Sequence, residues 1–164
     1  MKRTLLALFI SLSLLLGFTV NTYAAAAPVI VTAGDPEAIL EIARECGDAD
    51  LTTDKEGDPK ITGRIKGGGV YILNFFGCKE NKNCKTIQFV TYWEGYKVSP
   101  EDVAKWSWES GMFAKARLDG DNDPWLKMRL NLDEGVTRGN LLDNFAWWFV
   151  LTESFEKEVL KIKK

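Results

Sequence analysis

Two cysteines are the residues whose type and spacing most directly suggest chemistry. Cys78 and Cys84 lie at the ends of a polar run that separates two apolar runs, in NFFGCKENKNCKTIQF. A structural zinc site uses four ligands at tighter spacing, and the sequence has three cysteines and no histidine. A thioredoxin-type redox pair has the spacing C-x-x-C. In an oxidising compartment the pair therefore predicts a structural disulfide, which leaves Cys46 buried, free, or paired between chains.

The N-terminus predicts that compartment. Lys2 and Arg3 precede an apolar run from residue 5 to residue 20, and small residues follow with an A-x-A-like cleavage site ending at residue 24 or 26. This order is typical of a secretory signal peptide, so we expect residues 1–26 to be removed and the mature protein to be periplasmic or secreted. The run is too short, and too diluted by Ser and Thr, to predict an anchor, so no membrane attachment is expected after cleavage.

Composition narrows the functional classes. Without residues 1–26 the chain has about 138 residues, and its net charge changes from −2 to about −4. An acidic exported protein is a poor nucleic-acid binder, because such binding depends on neutralising phosphates. The absence of histidine removes the commonest general base and metal ligand. We therefore expect no cofactor, no metal and no enzymatic activity. The alternative is a periplasmic enzyme of unknown chemistry that uses paired carboxylates.

An acidic segment, LDGDNDPW, partly matches a calcium loop. Asp119, Asp121 and Asp123 have the spacing of its first three ligands. The position that requires glycine is Pro124, and the position of the final glutamate is Leu130. A polar hairpin turn is therefore the favoured interpretation, with a weak cation site as the alternative.

Hydrophobic periodicity predicts the elements that position these residues. We expect three helices, at residues 35–47, 99–110 and 137–160. Strands are expected at about 60–66, in a hairpin over 70–93 and in a second hairpin over 112–133. The order is α-β-β-β-α-β-β-α, with a further short strand near Leu51 as an option. Hairpins with helices between them indicate an α+β fold, in which helices pack on one face of an antiparallel sheet.

The cysteine pair also predicts the register of the first hairpin. If Cys78 lies opposite Cys84, the antiparallel pairing follows for every other position. The core face then pairs Phe75 with Ile87 and Leu73 with Phe89, and the opposite face pairs Asn74 with Gln88.

Basic side chains gather on one face of the second hairpin. Alternation places Lys115, Arg117, Lys127 and Arg129 together, with Lys115 directly opposite Lys127. Like charges in that position destabilise a sheet, so the pattern favours an anionic partner. The alternative is a solvated face on which Arg117 stacks on Trp125.

The last helix carries a second candidate surface. Trp147 and Val150 lie on the side opposite the apolar core face of that helix. An exposed tryptophan suggests a contact with a partner. The alternative is that another segment, such as APVIVTAG near the mature N-terminus, covers Trp147.

The sequence resembles the YbjN-like family. The resemblance rests on YILNFFGCKENKNCKTIQFVTYW, VSPEDVAKW and GMFAKARLDGDNDPWLKMRLNLDEGVTRGNLLDNFAWW, in this order, and predicts one domain over residues 35–162. It implies a fold similar to type III secretion chaperones, often paired into dimers, and a role as a sensory transduction regulator. It assigns no catalytic residues. Many relatives are cytoplasmic, whereas this chain has a predicted signal peptide.

We therefore predict an exported, non-enzymatic binding and regulatory module. Its expected partner is a protein or peptide, bound through a sheet face or the Trp147 surface, with a homodimer as a further option. The alternatives are the periplasmic enzyme and an anion or small-ligand binder that uses the four basic side chains.

Overall fold

The computed structural model describes residues 27–65 and 68–163. The predicted signal peptide lies outside the described residues. The element order is β1 (Ile30–Val31), α1 (Pro36–Cys46), β2 (Ala49–Thr53), β3 (Pro59–Arg64), β4 (Val70–Phe76), β5 (Thr86–Tyr92), α2 (Pro100–Glu109), β6 (Lys115–Leu118), β7 (Pro124–Asn131), β8 (Val136–Thr137) and α3 (Arg138–Glu158). The predicted α+β class and the order of the main elements are confirmed. Strand β2 lies where a short extra strand was anticipated, whereas β1 and β8 were not predicted.

Six strands form one antiparallel sheet in the order β2-β3-β4-β5-β7-β6. The predicted register of the first hairpin is present, with facing pairs Phe75–Ile87, Leu73–Phe89 and Asn74–Gln88. A disulfide joins Cys78 to Cys84 just beyond the paired ends of β4 and β5. Because side chains alternate along a strand, this register sends one set of apolar side chains to a single face.

That face is the core, and the helices pack against it. The Phe89 ring lies 4.9 Å from the Phe145 ring and 5.4 Å from the Trp148 ring, so α3 covers the centre of the sheet. Trp106 of α2 packs edge-to-face on Phe155, at 5.0 Å between ring centroids. Helix α1 adds buried apolar side chains to the same cluster. Burial of this aromatic surface is the main source of stability.

Side-chain caps define where the three described helices begin. The side chains of Asp35, Ser99 and Thr137 each accept a hydrogen bond from the backbone N–H three residues later. Proline occupies the first position of α1 and of α2, where its fixed φ favours a helix start. Within the described part of the chain, no helix combines the length and the apolar character needed to cross a membrane.

A small two-stranded sheet joins the N-terminal segment to the chain just before α3. Strand β1 pairs antiparallel with β8, immediately before α3, with Ile30 opposite Thr137. Gly135 precedes β8 with φ of +84°, and a Cβ at that position would lie 2.4 Å from Ile30 Cγ2. Glycine therefore allows both the turn and the close approach of β1.

Candidate functional site

The sheet face that points away from the helices, called the outer face below, is the candidate site. Strand pairing aligns one row of its side chains across five strands: Thr62, Ile72, Val90, Lys127 and Lys115. The row is apolar on β4 and β5 and basic on β7 and β6. The outer face therefore has an apolar half and a basic half that meet between β5 and β7.

The structure brings the four basic residues of the second hairpin together. Lys115 lies opposite Lys127, as the alternation predicts, and Arg117 lies opposite Trp125. The four side chains surround one concavity of about 410 Å³, which Gln88 and Phe113 complete. An anion in this concavity would meet cations from two neighbouring strands.

These four cations have no acidic partner in the part of the chain that the structure describes. The ion pairs there join Lys85 to Asp133, Lys97 to Asp123 and Arg138 to Glu45. Two like charges opposite each other, with no carboxylate between them, destabilise the β6–β7 pair. A bound anion would relieve that repulsion.

Aromatic rings hold two of the cations against the sheet. Lys127 Nζ lies 4.6 Å from the centroid of the Trp125 ring, and Arg129 Cζ lies 4.3 Å from the centroid of the Phe76 ring. Trp125 also stacks on Tyr92, at 5.3 Å between ring centroids. The cation over Trp125 is therefore Lys127, and not Arg117 as the solvated-face alternative supposed. Cation–π contacts leave the N–H groups available as donors.

The apolar half has a concavity of its own, of about 450 Å³. Its outer-face lining includes Val70, Ile72, Val90 and Tyr92. Val70 and Tyr92 are exposed to solvent. An exposed apolar strip of this kind favours contact with another molecule.

The Trp147 surface lies on helix α3, separate from the outer face. Trp147 and Val150 of α3 are 41% and 57% exposed. The N-terminal segment pairs with β8 at the start of α3. The neighbour of Trp147 is instead Phe113, whose ring meets the indole edge-to-face at 5.5 Å.

Sequence reasoning missed Phe113. This residue precedes β6, contacts Trp147 on the helix side and lines the basic concavity on the sheet side. Phe113 therefore lies between the two candidate surfaces. The available signal was alternation in the second predicted hairpin, which places Phe113 on the same face as Lys115 and Arg117.

Asp119 and Asp123 of the acidic turn use their carboxylates for hydrogen bonds within the protein. Asp119 Oδ1 accepts hydrogen bonds from the N–H groups of Asp121 and Asp123, both at 2.9 Å. The bond from Asp123 is the main reason that the pKa of Asp119 is lowered. Lys97 Nζ donates to Asp123 Oδ1 at 2.8 Å, and this bond raises the pKa of Lys97. Among the described residues, no cluster of acidic or cysteine side chains suited to holding a metal ion is found.

Cys46 is a free, half-buried thiol at the end of α1. Burial is the main cause that raises its pKa, and the charge of Glu45 adds to the effect. A raised pKa lowers the thiolate fraction, so this cysteine is less nucleophilic than an exposed one.

Comparisons with known proteins show which family the chain belongs to. The model of the YbjN family, described as "Putative bacterial sensory transduction regulator", matches residues 35–161. The chain belongs to the YbjN family. This confirms the resemblance predicted from the sequence. Among solved structures, the chain is similar to the Yersinia pestis type III secretion chaperone SycH in complex with a stable fragment of YscM2. The sequence identity is 16% and the TM-score is 0.48. The superposition covers 74% of this chain and 97% of that chain. A search of curated proteins found no match.

Proposed function

We propose that this YbjN-family chain is an exported, non-enzymatic regulatory module that binds a protein or peptide on its outer sheet face. The observation that carries the proposal is the outer face itself. It presents an exposed apolar strip beside four basic side chains, while the helices pack on the opposite face. Protein surfaces that combine an apolar centre with charged side chains are suited to specific association.

Partner binding is tested by photocrosslinking in cells. A photoreactive phenylalanine analogue replaces Tyr92 on the outer face, Trp147 on α3, or Lys55 in the exposed β2–β3 turn as a control. We expect a protein adduct from position 92 that is absent from position 55. An adduct from position 147 alone would move the site to the Trp147 surface. No protein adduct from positions 92 and 147 would contradict the proposed function.

Export is tested separately. The sequence pattern of residues 1–26 supports cleavage near residue 24 or 26. We expect the protein recovered from the periplasm or medium to have a mass that matches removal of this segment. The intact precursor retained in the cytosol would contradict export and leave the binding proposal to the crosslinking result.

The basic concavity favours a second candidate function, the binding of a small anion. Four cations around about 410 Å³ could bind one sulfate or phosphate group, which would offset part of their charge. Calorimetric titration with inorganic phosphate tests this candidate, and absence of measurable heat at millimolar phosphate would exclude a tight phosphate site.

A further inference from the structure

We propose, building on the function above, that the occupant of the outer face is a short extended segment of a partner protein, with apolar side chains at one end and carboxylates at the other. Lys115, Arg117, Lys127 and Arg129 would bind the acidic end. Ile72 and Val70, which is 41% exposed, would contact the apolar end.

The two concavities meet directly. Val90 lines the apolar concavity, Lys127 lines the basic one, and the two residues are cross-strand partners. The row from Thr62 to Lys115 crosses five strands. With neighbouring strands about 4.8 Å apart, it is about 19 Å long, which is the length of about six residues of extended chain.

Charge complementarity sets the direction of this segment. The cations are concentrated on β6 and β7, at one edge of the sheet. No acidic side chain of the described residues lines the basic concavity: Asp50 is on β2, opposite Thr62 at the other edge, Glu94 lines the apolar concavity, and Asp119 in the β6–β7 turn accepts a hydrogen bond from the Trp125 indole. The outer face of β3 carries two further cations, Lys60 and Arg64, beside Asp50 of β2. Attraction for carboxylates is therefore stronger over β6 and β7, where four cations surround one concavity.

The aromatic side chains of the outer face argue against a nucleic acid as the occupant. Single-stranded nucleic acids bind by stacking bases on open aromatic faces. Here Trp125 is stacked on Tyr92 and lies under Lys127, and Phe76 lies under Arg129. The net charge of −2 also opposes binding to a polyanion, whereas a short segment needs only local complementarity.

Isothermal titration calorimetry with synthetic peptides tests the inference on the purified chain. The probe peptide carries three leucines followed by three glutamates. One comparison peptide replaces the glutamates with lysines, and another replaces the leucines with glutamines. We expect the probe to bind at least about tenfold more tightly than either comparison peptide, because each of them lacks one of the two contacts. Its affinity should fall as salt is added.

Matched double variants identify the basic half. Lys115→Gln with Lys127→Gln removes two cations from the concavity, whereas Lys105→Gln with Lys157→Gln removes two exposed lysines from α2 and α3. We expect the first pair to weaken binding about fivefold or more and the second to change it less than about twofold. Thermal melting confirms that both variants fold. Ile72→Thr keeps all four cations. It should weaken binding of the probe peptide but not of the comparison peptide in which glutamines replace the leucines.

Several outcomes would overturn the inference. These are equal affinity for all three peptides, tighter binding of a single-stranded oligonucleotide than of the probe, or displacement of the probe by an equal concentration of inorganic phosphate. A position-92 adduct between two copies of this chain would make the occupant a second copy. The partner adduct from position 92 is also tested in the Lys115→Gln, Lys127→Gln double variant. If the adduct persists there, the inference of an acidic segment is wrong, whereas the proposed function stands.

Discussion

At the scale of single residues, Asp119 shows how one carboxylate organises a turn. Its pKa is lowered from 3.8 chiefly by the backbone hydrogen bond from Asp123. The carboxylate therefore contributes stability above its unfolded-state pKa, and this contribution is lost as pH falls through the lower folded-state value. We expect Asp119→Asn to lower the Tm at neutral pH and to approach the wild-type Tm as the pH falls below 3.8.

Circular dichroism melts across this pH range provide the measurement. Asp143→Asn is the control, since Asp143 is exposed on α3 and its change leaves the turn intact. Parallel curves for Asp119→Asn and the wild type would show that the turn does not use the charge of Asp119.

Cys46 offers a prediction about reactivity. Burial, followed by the charge of Glu45, raises its pKa above the ordinary value of 9.0. We expect native Cys46 to react with iodoacetamide about tenfold more slowly at pH 8 than the same thiol in urea, because less thiolate is present and access is lower. Mass spectrometry follows the reaction. Glu45→Gln should accelerate alkylation, and equal rates in native and unfolded protein would contradict the prediction.

At the scale of elements, Gly63 makes room for an aromatic ring. It lies opposite Tyr71, and a Cβ at Gly63 would be 2.2 Å from Tyr71 Cζ. Tyr71 is fully buried between β3, β5 and α3 and has little freedom to move. We expect Gly63→Ala to cost about 1–3 kcal/mol in urea unfolding.

Gly139 provides the matched control for Gly63. It lies in the first turn of α3, and a Cβ there would have no atom within 4 Å. Gly139→Ala is expected to stabilise the protein by about 0.4–1 kcal/mol, because alanine restricts the unfolded chain. If both changes had the same sign, the contact between Gly63 and Tyr71 would not be the cause.

The disulfide belongs to the β4–β5 hairpin. Cys78 and Cys84 close a loop with a sequence separation of 6. Closing so short a loop stabilises by about 2 kcal/mol in the chain-entropy treatment, and the bond also holds the register. We expect Cys78→Ser with Cys84→Ser to lower the Tm by roughly 5–10 °C. Cys46→Ser is the control, and an unchanged Tm in the double variant would show that the hairpin holds its register without the bond.

The first hairpin was predictable because the residues that determine its register are close together in the sequence. Cys78 and Cys84 are close in sequence, and alternating apolar residues on both sides allow one register with a single buried face. Strands β1 and β8 could not be predicted, because two residues are too few for a period and their pairing joins distant parts of the chain. Strand β2 has only Ala49 fully buried, so its alternation is weak.

The candidate site was predictable only in part, for the same physical reason. Alternation within the second hairpin predicted the basic half, since Lys115 and Lys127 are neighbours across one turn. The apolar half next to it depends on β5 pairing with β7, with helix α2 and strand β6 between them in the chain. A local sequence pattern could not predict that β5 pairs with β7, because the two strands are not neighbours in the chain.

At the scale of the whole molecule, the basic half lowers the stability of the fold while it favours binding of an acidic ligand. Lys115 repels Lys127 across the β6–β7 pair, so Lys115→Gln is expected to raise the free energy of unfolding by up to about 1 kcal/mol. The same change should weaken binding of the acidic probe peptide. Denaturant unfolding and calorimetry measure the two effects, with Lys105→Gln as the control. A loss of stability in Lys115→Gln would mean that its side chain supports the sheet.

The position of Trp125 also gives the protein an optical reporter. Its indole lies on the outer face between Lys127 and Tyr92, whereas the indole of Trp148 is enclosed by Phe89 and the rest of the core. An occupant that draws Lys127 away would alter the light emitted by Trp125 and leave that of Trp148 unchanged until the chain unfolds. Replacing Trp108, which is 91% exposed, with phenylalanine would remove a constant background, so ligand arrival could be followed in real time without any attached dye.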